Sequence, residues 1–203
     1  GGQLTWELDQ IDDQPAVGWI KAAQEELKTM ENVTIAQRTT AFGYYDSNVV
    51  NAIESVSDHL PTPDNYSVRQ RLWQIRAKKV IIATGATERP LVFSNNDRPG
   101  VMLASAARRY VNQFAVKPGN RAVIFANNDD GYKTAVNLAE KGIDVRAVVD
   151  SRTQVNDFWK TKLEQIGVEL IQGSAVINTH GHFRLTGVDI ATLSSDQKST
   201  NSQ

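Results

Sequence analysis

The chain has 203 residues, 22 Lys and Arg against 23 Asp and Glu, a net charge of −1, 40% hydrophobic residues, three His and no Cys. A chain of this length makes one large domain or two small ones and buries roughly 70% of its unfolded surface, so it folds without cross-links. The missing cysteines exclude a disulfide framework, a thiolate zinc site, a dithiol redox centre and a cysteine nucleophile, and the balanced charge offers no basic stripe for nucleic acid.

The chain opens on Gly1-Gly2-Gln3 without Met and closes on Ser194 to Gln203, a polar run expected to be disordered. Both ends suggest a piece of a longer protein. The longest apolar stretches, such as Val80 to Ala83, are too short to span a bilayer, and no signal-peptide pattern is present. These features lead us to expect a soluble, cytoplasmic protein with neither membrane nor nucleic acid as partner.

Asp12, Asp13 and Pro15 mark a loop. Beyond it Val17, Ile20, Leu27 and Met30 recur at helical spacing and predict a helix over 16–30. The period then changes. Val33 to Ala36 reads as a short strand, Asn48 to Val56 and Arg69 to Ala77 alternate as strands, and Pro61, Pro63 and Asp64-Asn65 between them predict a hairpin. Lys79 to Thr84 is a continuous apolar run of the kind buried on both faces of a parallel sheet.

A second unit follows Pro99-Gly100. It reads as helix 101–114, strand 122–126, helix 131–141, strand 145–149, helix 155–166 and strand 168–171, with Gly142 and Gly167 as helix terminators. Such alternation implies a parallel sheet with right-handed crossovers. Ser174 to Ile190 reads as a further hairpin turning at Thr179-His180-Gly181. The fold class is therefore α/β, with a boundary near residue 98: a partial first unit with a β-hairpin over 1–97, a second doubly wound unit over 98–192 and a disordered tail over 193–203.

Ala83-Thr84-Gly85, at the expected carboxyl end of a buried strand, allows the close approach of another backbone or of a dinucleotide. A tight exit turn accounts for it equally well. Glu88-Arg89 afterwards reads as an ion pair at that turn or, preferably, as solvent-facing charge. In the second unit the run Arg121 to Tyr132, with Asp150 closing the next strand, has the spacing of a Rossmann unit, in which an acid about 20 positions after the phosphate turn binds a ribose. Its glycines are wrong: Ala126, Asn128 and Gly131 stand where G-x-G-x-x-G is expected. Asp129 and Asp130 fall at the helix start, where they are expected to cap the amides a pyrophosphate needs. A carboxylate about 5 Å from a phosphate costs on the order of 3 kcal/mol at an effective dielectric of about 20. The second unit therefore reads as a Rossmann fold that holds no dinucleotide, and Asp150 as a strand-end residue.

Catalytic candidates are few. His180 and His182, one residue apart in a turn, lack a third metal ligand, and His59 has no nucleophile to serve. No catalytic and no metal-binding residue is assigned.

Taken together, several motifs resemble the alpha subunit of heterotetrameric sarcosine oxidase. They are Gly1-Gly2-Gln3-Leu4, Arg38-Thr39-Thr40-Ala41-Phe42-Gly43-Tyr44-Tyr45-Asp46, Arg71-Leu72-Trp73, the run Ala83 to Phe93 and the run Asn96 to Ala104. Related amine-oxidising complexes, such as dye-linked proline dehydrogenase and hydrogen cyanide synthase, share parts of the pattern. The resemblance covers residues 1 to about 190 and thins after Arg152. It implies a two-dinucleotide-binding, FAD/NAD-binding flavoprotein-like fold, in which one Rossmann unit is interrupted by a second. It further implies NAD in the first unit, with FAD and FMN elsewhere in the parent complex and not held by this chain alone. The implied reaction is oxidative demethylation of sarcosine to glycine, with hydrogen peroxide formed and the methyl carbon passed to tetrahydrofolate.

By the same resemblance Gly1, Gly2, Gln3 and Ala41 line the adenosine half of NAD, while Ala83, Thr84 and Gly85 border the pyrophosphate. Amine oxidation belongs to another subunit of the heterotetramer, so no catalytic residue carries over. The family's glycine-rich first loop would precede Gly1, and Thr87 stands where several members carry His. The chain alone is accordingly expected to bind NAD poorly and to be inactive. The rival reading is an assembly module of a proline dehydrogenase-like complex that only positions flavin-bearing partners.

Overall fold

The computed structural model describes residues 2–7 and 9–194. Gly1 and most of the C-terminal polar run lie outside the described residues. The chain forms two compact units, one made of Gly18–Ala86 and the other of the stretches that flank it. Among the described residues no helix is long and apolar enough to cross a membrane.

The flanking stretches open with a 3-10 turn over Gly2–Thr5. A two-residue hairpin follows, β1 (Gln10–Ile11) with β2 (Gln14–Pro15). Asp12 and Asp13 both take positive φ, 50° and 57°, as a tight hairpin turn demands. Helix α1 (Ala16–Thr29) begins with the buried Ala16 and belongs from Gly18 onward to the other unit, with Trp19 and Leu27 40% exposed.

In the Gly18–Ala86 unit, β3 (Thr39–Tyr45), β4 (Val49–Ser55) and β5 (Gln70–Arg76) form an antiparallel sheet in that order. The expected β4–β5 hairpin is present, with Val50 opposite Ile75 and Ala52 opposite Trp73. Two expected strands are not. Val33 to Ala36 has no strand pairing, and the extended chain starts at Thr39. Lys79 to Thr84 is unpaired coil, with Ile81 90% and Ile82 71% exposed. A strand exists only where a neighbour takes up its amides and carbonyls, and among the described residues none does so here.

The second sheet is parallel. Strands β6 (Arg121–Ala126), β7 (Asp144–Asp150) and β8 (Glu169–Gln172) lie in sequence order. Helix α2 (Ala104–Gln113) precedes them, and α3 (Asp130–Glu140) and α4 (Asp157–Gln165) are the crossovers. Each crossover helix ends in the same way. Gly142 (φ 74°) and Gly167 (φ 71°) adopt the left-handed conformation, while the next amides, of Ile143 and Val168, bond back to the carbonyls of Leu138 and Leu163.

The core sits between this sheet and its helices. It includes Tyr132, Ala135, Val148 and Leu163, none of them exposed. The remaining hairpin, β9 (Ser174–Gly181) with β10 (Leu185–Thr192), turns at His182 to Arg184, three residues later than expected. Gly181 must be glycine there: its φ is 119°, and a Cβ would collide with the carbonyl oxygen of Arg184.

Candidate functional site

The carboxyl ends of β6 and β7 meet the start of α3 where an α/β sheet ordinarily receives its ligand. Gly131 occupies the position that brings helix close to strand, and a Cβ there would overlap that of Ala126. The two preceding aspartates do not cap the helix as expected. Asp129 makes no side-chain capping bond, and the amide of Asp130 is taken instead by Asn128 Oδ1 at 3.0 Å. Each aspartate is instead paired with a guanidinium.

Asp129 pairs with Arg152 Nη1 at 2.8 Å. Arg152 also donates from Nη2 to Asp150 Oδ2 at 2.8 Å, and its backbone amide donates to Asp150 Oδ1 at 2.7 Å. Asp150 has no exposure at all, and Tyr132 donates its hydroxyl to the same carboxylate. Burial, reinforced by Asp150, pushes the Tyr132 hydroxyl well above its ordinary value, and the hydrogen bond to Asp150 does the same for Arg152. The guanidinium lies 5.6 Å from the Tyr132 ring, which stacks on Trp159 at 5.9 Å. Asp150 is thus the strand-end residue anticipated, and the oxygens a ribose would use already accept bonds from Tyr132 and Arg152.

A second cluster adjoins it. Arg108 reaches from α2 to Asp130 with Nη2 at 2.8 Å and lies 3.5 Å from Glu7 through Nη1. Lys133, one turn into α3, contacts Glu7 at 2.6 Å and Asp9 at 2.7 Å. Burial alone would lower the Lys133 pKa, but the hydrogen bonds it donates to Asp9 and Glu7 carry it above its ordinary value. Sequence reading missed Tyr132, Arg152, Arg108 and Lys133. One signal was present for Arg108: it stands beside Ala107 and three residues before Val111, on the apolar stripe of α2. In the second unit the first amide of α3 is already bonded to Asn128, both aspartates at the helix start are paired with arginines, and the acidic residue Asp150 is internally bonded.

Of the residues assigned through the resemblance, Gly1 lies outside the described residues. Gly2 and Gln3 share the exposed 3-10 turn. Ala41 is exposed on β3 at the edge of a bulge, since the register shifts between Ala41 and Gly43. Ala83, Thr84 and Gly85 are exposed and lie outside any strand, not at a strand end as expected, and Gly85 has φ 76°. A Cβ at Gly2 or at Gly85 would meet nothing within 4 Å, so both backbones are open to a ligand. That openness fits the close approach of a dinucleotide.

Glu88 is neither of the two things anticipated for it. Its carboxylate accepts from the amides of Ala104 at 2.9 Å and Ser105 at 2.7 Å, and so caps α2. His180 pairs with Asp189 at 2.7 Å, which with Asn178 holds that carboxyl below its usual range.

The architecture is that of the FAD/NAD-binding oxidoreductases. An L-proline dehydrogenase from P. horikoshii superposes with a TM-score of 0.51 at 21% identity, over 92% of this chain and 30% of that one. An engineered water-forming NADPH oxidase bound to NADPH gives 0.53 at 16% identity, over 82% of this chain and 36% of that one. No protein-family model matches the chain. In sequence it is 41% identical over 94% of its length to the sarcosine oxidase alpha subunit of Rhizobium meliloti (strain 1021), and 43% identical over 94% to that of Corynebacterium sp. (strain P-1). It spans 19% and 20% of those proteins, about a fifth of their length.

Proposed function

We propose that this chain is the NAD-carrying stretch of a sarcosine oxidase alpha subunit, with the dinucleotide on the first unit (1–97) and not on the second (98–192). The observation that carries the reading is that Asp129, Asp130 and Asp150, at the second unit's ligand-receiving end, are all paired with arginines, whereas the backbones at Gly2 and at Gly85 each have open space beside them. The identity to alpha subunits over nearly the whole chain supports it. Gly1, Gly2, Gln3 and Ala41 would face the adenosine half, and Ala83, Thr84 and Gly85 the pyrophosphate. NAD bound there would supply hydride-transfer chemistry or serve structurally. The parent complex would demethylate sarcosine oxidatively to glycine, form hydrogen peroxide and pass the methyl carbon to tetrahydrofolate in the cytoplasm. FAD and FMN would be held elsewhere in the heterotetramer, and this stretch alone would be inactive.

The test uses the full-length subunit in its complex. It is expected to co-purify with NAD and to lose it in Gly85→Val, whose side chain would occupy the open approach at a φ that a β-branched residue resists. Wild-type protein without NAD, or Gly85→Val with a full complement, overturns the reading. The likeness to L-proline dehydrogenase keeps one rival, a related secondary-amine dehydrogenase. An activity panel of sarcosine against proline decides between them.

A further inference from the structure

The Gly2–Thr5 turn buries none of its own residues, so its position must come from elsewhere. Its carbonyl at Gln3 accepts from the amides of Trp6 and Glu7, both at 3.2 Å, which closes the turn but does not anchor it. The anchor is the Glu7 side chain, in a residue only 8% exposed. Glu7 Oε1 accepts from the Gln3 carboxamide at 2.5 Å, and Oε2 takes the Lys133 ammonium at 2.6 Å. Arg108, with a side chain 2% exposed, stands 3.5 Å from the same carboxylate and lays its guanidinium 5.6 Å from the Trp6 ring. Lys133 also holds Asp9, on the other side of the turn's exit, at 2.7 Å. Two cations more than 100 residues away in the chain thus clamp the segment that follows Gly2-Gln3.

We infer that Lys133 and Arg108 are positioning residues for dinucleotide binding: acting through Glu7, they hold the Gln3 carboxamide and the Gly2 backbone in place for the ligand. The second Rossmann unit would then serve the nucleotide without touching it, by presenting the start of α3 as a mount for the segment that does. This inference rests on the reading that Gly2 and Gln3 face NAD. The carboxamide nitrogen of Gln3 donates to Glu7, so its orientation is determined by a carboxylate whose second oxygen is held by Lys133. A ligand group placed against Gln3 meets a prearranged partner, and the ordering cost is removed before binding. Losing one charge-assisted hydrogen bond of this kind corresponds to about a ten-fold change or more in an equilibrium constant.

The experiment is an NAD titration of the full-length subunit in its complex, with thermal unfolding recorded alongside. Lys133→Met, which leaves Arg108 as the remaining cation beside the buried Glu7 carboxylate, is expected to weaken NAD binding about ten-fold and to lower the unfolding midpoint only modestly. Lys133→Arg, which keeps the charge, should recover most of the affinity. Glu7→Gln provides a second route to the same loss should Lys133→Met fold poorly. Wild-type affinity in both Lys133→Met and Glu7→Gln, with binding still abolished by Gly85→Val, overturns the inference and leaves the NAD reading intact. A loss in Lys133→Met that Lys133→Arg does not recover, and that tracks the unfolding midpoint, also overturns it, since that marks a purely structural role. Wild-type protein that binds no NAD overturns both.

Discussion

The two three-stranded sheets of this protein are built from similar strand lengths and reach opposite solutions. In the parallel sheet, β7 buries Val145, Ala147, Val148, Val149 and Asp150, and two crossover helices close the core over it. In the antiparallel sheet, every residue of β5 is exposed, and Ala52 is the one buried hydrophobic residue among those described in the Gly18–Ala86 unit. Pairing and burial are therefore separable. Antiparallel strands assemble locally through turns and cross-strand contacts, whereas parallel strands require helices between them and acquire a core with those helices. Here the first sheet is held by devices such as Glu54, which accepts from Arg71 at 3.0 Å and from the Trp73 indole at 2.8 Å.

The sharpest way to break this contrast is a pair of truncations followed by urea unfolding. Leu163→Ala removes a fully buried side chain from the core and is expected to cost about 2–5 kcal/mol. Leu72→Ala, at a residue 67% exposed, should fall within about 0.5 kcal/mol of wild type. Equal losses would show that the antiparallel sheet has a core after all.

A smaller effect sharpens the parallel side. Tyr132→Phe leaves the buried Asp150 with one donor residue fewer and is expected to cost about 1–3 kcal/mol. It should also change the response to alkali. The folded protein holds the Tyr132 hydroxyl protonated above its ordinary value of 10.0, so this contribution is complete below that pH and is lost as pH rises past it. Unfolding measured from pH 9 to 11 should fall more steeply in wild type than in Tyr132→Phe, and parallel slopes would refute the assignment. A loss at the low end of the Tyr132→Phe range is expected of Glu88→Ala, which uncaps α2 for about 1 kcal/mol. Faster amide hydrogen exchange at the start of α2, at Ala104 and Ser105, would accompany it.

Much of this arrangement was legible in the residues. Gly142 and Gly167 marked the ends of α3 and α4, and the prolines after Leu60 marked the β4–β5 hairpin, because terminators and turns act over a few residues. Lys79 to Thr84 misled, since an apolar run states what a segment can become and not whether a neighbouring strand is there to pair with it. The bonds from Tyr132 to Asp150, and from Lys133 to Glu7, join residues 18 and 126 apart, and no local period encodes them. Within the crevice the unsuitable glycines and acidic pair were readable, but the fate of the aspartates was not. Capping was the local expectation, and Arg108 and Arg152 redirected both side chains through tertiary contact.

The paired side chains around the start of α3 also shape encounters at a distance. Glu7, Asp9, Asp129, Asp130 and Asp150 face Arg108, Lys133 and Arg152, which leaves two negative charges in excess. At physiological ionic strength such a field extends about 8 Å before screening removes it. A diffusing polyanion is slowed there before any contact is made, and because Gln3 is bonded to Glu7 the slowing extends to the segment proposed to receive the nucleotide. Raising the salt concentration weakens that repulsion without opening the crevice.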